Sequence, residues 1–163
     1  MLKIPYGISD YKVLQEENYY YVDKTMYLEK LESVGKVLTY LRPGRYGKTL
    51  FTSMLSYYYD VNTKSEFKTL FKNTYVEKNP TKNKNNYYIL KFDFLFFITS
   101  KKNEQEVEME FIRKVADGIQ KFNDTYKLNA RTDYHDITPN GLLLEFLSYF
   151  RSLDLEHKLY ILI

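Results

Sequence analysis

With 163 residues the chain is long enough to bury a core, and by length it makes one domain. Apolar residues at 44% and charged residues at 28% fit a soluble globular protein, and a net charge of +3 spread among mixed Lys and Glu argues against a concentrated nucleic-acid face. The absence of cysteine excludes a disulfide framework or thiolate metal site, and the two distant histidines, His135 and His157, do not make a histidine-rich one.

The N-terminus, "MLKIPYGISDYKV", lacks the apolar stretch of a signal peptide, and no apolar run approaches membrane-spanning length, so a cytoplasmic protein is expected. Residues 19–22 suit a short strand, and Asp23 or Thr25 suits the cap of a helix carrying Tyr27, Leu28 and Leu31. "KVLTYL", residues 36–41, is apolar on both faces, the pattern of a strand covered on both sides in a parallel sheet. Leu50, Phe51, Met54, Leu55 and Tyr58 recur at helical spacing and predict an amphipathic helix over 48–59. Thr63 and Glu66 read as a T-x-x-E capping box ahead of Phe67, Leu70 and Phe71. Residues 73–86 read as loop, with "KNPTKNK" (78–84) a basic, solvated part of it.

"YYILKFDF", residues 87–94, predicts a second strand. Asn103 and Glu106 open a long helix with Val107, Phe111, Val115, Ile119 and Phe122 on its apolar face. Thr138-Pro139 supplies a cap and a first-turn proline for a further helix that turns Leu143, Phe146, Leu147 and Phe150 inward. "KLYILI", residues 158–163, is a third buried-strand pattern. Strands alternating with helices predict an α/β layer fold with a mainly parallel sheet. The 18 tyrosines and 11 phenylalanines read as compositional bias rather than a base-stacking surface.

Residues 42–49 are "RPGRYGKT". Gly47-Lys48-Thr49 ends as a phosphate-binding loop ends, but Arg42 stands where its first glycine is expected. The triplet alone is a weak signal. Its place between a predicted strand and a predicted helix is stronger, because the free amides and positive dipole end of a helix face an anion there. The competing reading is a basic strand-to-helix turn. As a phosphate loop, Gly44, Arg45, Tyr46, Gly47, Lys48, Thr49 and Leu50 are the nucleotide-binding candidates. Lys48 would reach the β- and γ-phosphates, Thr49 would ligate Mg²⁺, and the amides would form a concave nest. Pro43 has no N–H to offer, and Arg42 and Arg45 either meet phosphate or point into solvent. The loop does not distinguish ATP from GTP.

Four ordered blocks, "IPYGISDYK" (4–12), "YYVDKT" (20–25), "RPGRYGKTL" (42–50) and "YYILKFDF" (87–94), together resemble the bacterial AAA-ATPase-like family. That family has a variant loop, R-P-R-R-[FY]-G-K-[ST], in which arginine also replaces the first glycine. The resemblance implies a P-loop NTPase-like three-layer sandwich, ATP and Mg²⁺ as ligands, and residues 1–163 as the N-terminal part of one domain. Residues 1–35 would lead in, residues 36–163 would be a partial nucleotide-binding core, and "IPYGISDY" is a candidate to pack against adenine.

Two positions depart from the family pattern: Gly44 replaces a usual arginine, and Leu95 a usual small polar residue. In the family a strand like "KLYILI" runs into an acidic D-E-Y-D Walker B segment, whereas this sequence stops at Ile163. Asp93 reads as a satisfied strand-end carboxylate rather than a substitute. The resemblance therefore implies binding without effective hydrolysis. It also implies a sheet edge left open to the missing C-terminal half or to another chain. Longer members carry a domain resembling PD-(D/E)XK nucleases, so nucleic acid enters only by family association. A reading of another class is a nucleotide-independent interaction or regulatory fragment that uses the basic loop and the tyrosines.

Overall fold

The computed structural model describes residues 3–94 and 103–163, which fall into two compact units, Met1–Tyr87 and Tyr88–Ile163. Leu95, one of the two departures from the family pattern, lies outside the described residues.

The first unit is built on helices. Asp10 caps α1 (Tyr11–Glu16) by accepting from the Val13 amide at 3.0 Å, which satisfies one orphan donor of the first turn. A 3₁₀ turn, Thr25–Tyr27, leads into α2 (Leu28–Val34), and α3 (Lys48–Tyr59) matches the predicted helix. Phe51, Met54, Leu55 and Tyr58 of α3 are buried at the spacing that defines one helical face. Two one-turn helices follow, α4 (Phe67–Leu70) and α5 (Tyr75–Lys78), the latter inside the stretch expected to be loop.

Tyrosine is a core residue here. Tyr11 is fully buried, edge-on to Tyr21 and tilted against Phe71, and its hydroxyl donates to the Leu70 carbonyl at 3.0 Å. Its amide donates to Ser53 Oγ on α3 at 3.0 Å, and Tyr57 of α3 donates its hydroxyl to Asp10 at 3.1 Å. The N-terminal "SDY" block is thus bolted to the helix that begins at Lys48. A buried tyrosine contributes a large apolar area provided its hydroxyl is paired, and Tyr11 meets that condition.

Three further local expectations fail in this unit. Residues 19–22 form no strand, and Tyr19 makes only an isolated parallel bridge to Lys3. "KVLTYL" forms no strand either: Val37 is 91% and Leu41 84% exposed, and residues 36–41 join no ladder among the described residues. An apolar run becomes a strand only where a neighbouring backbone accepts its hydrogen bonds. Here Tyr40 holds on through its ring, tilted against Phe51 at 5.2 Å. The T-x-x-E box does not form. Thr63 sits in a 3₁₀ turn with its hydroxyl 2.6 Å from the Tyr57 carbonyl, and Glu66 pairs with Lys12.

In the second unit β1 (Tyr87–Lys91) and β2 (Lys158–Leu162) pair as a small parallel sheet, joined through α6 (Glu104–Tyr126) and α7 (Pro139–Ser152). The strand predicted over 87–94 ends at Lys91, with one further bond from the Phe92 amide to the Leu162 carbonyl at 2.9 Å. Both helix starts are as predicted. Asn103 and Glu106 form a reciprocal capping box at 2.9 and 3.1 Å. Thr138 accepts from the Gly141 amide at 3.1 Å, ahead of Pro139 in the first turn.

The core of this unit includes Leu90, Phe92, Ile119, Phe122, Leu142 and Phe146. Phe122 and Phe146 meet edge-to-face at 5.2 Å, which locks α6 to α7. Phe111 was expected on the buried face but is 37% exposed, its ring stacked on Phe94, while its neighbour Ile112 is buried. Asn123 ends α6: its side chain accepts from the Ala130 amide and donates to the Ala130 carbonyl, with Lys127 left-handed at φ 57°. Mixed helices and a parallel strand pair make the chain α/β. No helix among the described residues is long and apolar enough to cross a membrane.

Candidate functional site

The loop before α3 sits in the first unit. Gly47 is the N-cap of α3 with φ 73°, and Arg45, two residues earlier, has φ 63°. An L-residue held left-handed costs about 1–2 kcal/mol, so Arg45 carries strain that glycine at 47 avoids. Two left-handed residues so close in sequence turn the backbone sharply just before the helix opens, the kind of geometry that makes a concave row of amides.

Among the described residues, the amides of Gly47, Lys48, Thr49 and Leu50 donate no hydrogen bond to a residue outside α3, while Gly44 and Arg45 lie in a hydrogen-bonded turn. The first bond from the helix into the loop runs from the Phe51 amide to the Gly47 carbonyl at 2.9 Å. No side chain caps Gly47, and no acidic residue occupies the first turn. The positive end of a twelve-residue helix is therefore left without an internal anion.

The Lys48 ammonium donates to the carbonyls of Arg42 (2.6 Å) and Pro43 (3.2 Å). These bonds draw the start of the helix back onto the first residues of the loop and use two of the three ammonium donors. Arg42 holds its guanidinium over the Tyr40 ring at 5.6 Å. Thr49 is exposed, with no hydrogen bond to its hydroxyl among the described residues.

A cleft of about 350 Å³ lies beside the loop. Arg45, Tyr46, Gly47 and Leu50 line it, whereas Gly44, Lys48 and Thr49 do not. Phe51 and Leu14 contribute apolar surface, and so does Pro5 from the "IPYGISDY" segment, while Tyr6 of that segment is 94% exposed. The lining not foreseen comes from "YYVDKT": Tyr20, Tyr21, Val22 and Lys24. Burial, and next the charge of Asp23, push the Tyr21 phenol up, so it stays a neutral donor at ordinary pH. The only hint in the sequence was that "YYVDKT" stands as its own block within the resemblance.

Nucleotide fits this donor set: unbonded amides and cationic side chains lie beside a cleft carrying aromatic and aliphatic surface. For Mg²⁺ the chain offers the Thr49 hydroxyl, and no cluster of His, Asp and Glu suited to a metal occurs among the described residues.

Residues 5–163 match the AAA-ATPase-like family, described as predicted AAA-ATPase. No curated protein and no solved structure matches the chain. With the match running from Pro5 to Ile163, the chain belongs to the AAA-ATPase-like family.

Proposed function

We propose that the chain binds a nucleoside triphosphate, ATP in the first instance, with Mg²⁺, through the loop from Gly44 to Leu50. The observation that carries this reading is the row of unbonded amides at the start of α3, behind a G-K-T triplet, in a chain of an ATPase-like family. Anions are favoured at such a helix start by both the amides and the dipole. Lys48 would give up a carbonyl, or use its third N–H, to bind phosphate oxygen, and Thr49 would hold the metal. The cleft beside Gly47 is where the nucleoside would lie.

The reading includes a P-loop NTPase-like sandwich, with residues 1–35 leading in and residues 36–163 belonging to the nucleotide-binding core. It is a proposal for binding. Turnover also requires a carboxylate to help hold the metal and a group to orient the attacking water, and none of the residues assigned here supplies either.

Thermal or chemical denaturation with and without ATP and Mg²⁺ tests the proposal. At 100 Kd a ligand specific for the folded state adds about 2.7 kcal/mol. That gain is expected in the wild type and should be lost in Lys48→Ala. Equal behaviour of the two proteins would overturn it in favour of a nucleotide-independent interaction fragment.

A further inference from the structure

The "YVDKT" segment is held in place by bonds that leave its lysine free to face the loop. Asp23 spends both carboxylate oxygens on backbone amides, one on Thr25 at 2.8 Å and the other on Tyr75, at the start of α5, at 2.7 Å. Thr25 is fully buried, and its Oγ1 accepts from the Val76 amide at 3.3 Å. The turn is therefore pinned on both sides of Lys24. Lys24 forms no salt bridge among the described residues. Its Nζ lies 3.9 Å from the position a Cβ on Gly47 would take, with no atom beyond the chain neighbours closer to that position. It shares the cleft lining with Arg45, and no Asp or Glu lines that cleft.

Two cations facing one small cleft repel each other unless an anion joins them. We propose that Lys24 is a second phosphate-binding cation, which reaches the loop across the cleft and is positioned by Asp23 and Thr25. The proposal rests on the nucleotide reading above and adds a contact that the loop itself does not contain. The ligand class is a polyphosphate: Lys24 meets the phosphate chain at Gly47, not the base. Asp23 is a positioning residue, acting through Lys24.

The test is calorimetric titration of ATP, ADP and adenosine, with Mg²⁺, into the wild type, Lys24→Gln and Asp23→Ala, with Lys30→Gln as an exposed control. Lys24→Gln should bind ATP and ADP about tenfold or more weakly, the loss of one charge-assisted hydrogen bond, with adenosine unchanged. Asp23→Ala should weaken the phosphate ligands in the same direction, and Lys24→Arg should recover part of the loss. Should Lys24→Gln melt, Lys24→Met, close in shape, replaces it.

Wild-type affinity in the Lys24 variant would overturn this inference and leave the loop reading intact. Equal weakening of adenosine would overturn it too, since Lys24 would then be shaping the cleft. Failure of the wild type to bind ATP at all would instead defeat the parent reading.

Discussion

Gly44 and Gly47 are three residues apart and answer to different constraints. Gly47 needs its left-handed φ of 73°, although a Cβ there would meet nothing closer than the Lys24 ammonium at 3.9 Å. Gly44 has no such φ, and no atom lies within 4 Å of its would-be Cβ, so a side chain there is neither strained nor crowded. The arginine that the resemblance implies at this position should then add a cation at no structural cost. Gly44→Arg is expected to bind ATP about fivefold more tightly, the worth of roughly 1 kcal/mol of solvated charge attraction, with the gain fading as salt rises. Titration at low and high salt checks this, and an unchanged or lower affinity at low salt would count against it.

At the scale of elements, α6 meets β1 through a glycine. A Cβ on Gly118 would lie 2.5 Å from Phe92 Cδ1 and 3.0 Å from the Lys91 carbonyl oxygen, so the helix and the end of the strand approach only because that atom is missing. Alanine favours a helix over glycine by about 1 kcal/mol. Overpacking costs about 1–3 kcal/mol, more when backbone is among the obstructing atoms, and it should win. Gly118→Ala is therefore expected to lower the urea midpoint, and a raised midpoint would show that Phe92 simply swings aside.

The elements also show what a sequence carries and what it does not. The starts of α6 and α7 were legible because a cap is written within a few residues: Asn103 with Glu106, Thr138 with Pro139. Thr63 and Glu66 carry an equivalent cap signature and make no box, because the Tyr57 carbonyl captured the threonine and Lys12 the glutamate. "KVLTYL" misled for a related reason: apolar content says that a segment prefers cover, while a strand exists only through a partner. The start of α3 at Lys48 was legible from the helical spacing that follows the G-K-T triplet. Lys24 was not, because its place beside Gly47 is made by bonds from Asp23 and Thr25 to α5, some fifty residues further along.

Across the molecule, the tyrosine-rich composition sets a response to alkali. Burial raises the phenols of Tyr11, Tyr21, Tyr57, Tyr58 and Tyr87, with Tyr57 pushed up to about 12 from an ordinary value of 10.0. A group whose folded pKa is raised holds its proton more tightly when folded, so its stabilisation is complete below the unfolded pKa. It is lost as pH rises through the folded value. Stability should therefore hold up to about pH 10 and fall steeply from there towards about 12. Urea titrations across that range should show the fall, and Tyr57→Phe should make it shallower. A flat profile would contradict the assignment of these buried and half-buried phenols as desolvated and neutral.

The central claim is that the backbone amides opening α3 hold a triphosphate. Its most direct test is the amide spectrum of isotopically labelled protein during addition of ATP with Mg²⁺. The largest shifts should fall on Gly44, Arg45, Tyr46, Gly47, Lys48 and Thr49, and should vanish in Lys48→Ala. Shifts confined to other residues, or an unchanged spectrum at saturating ATP, would contradict it.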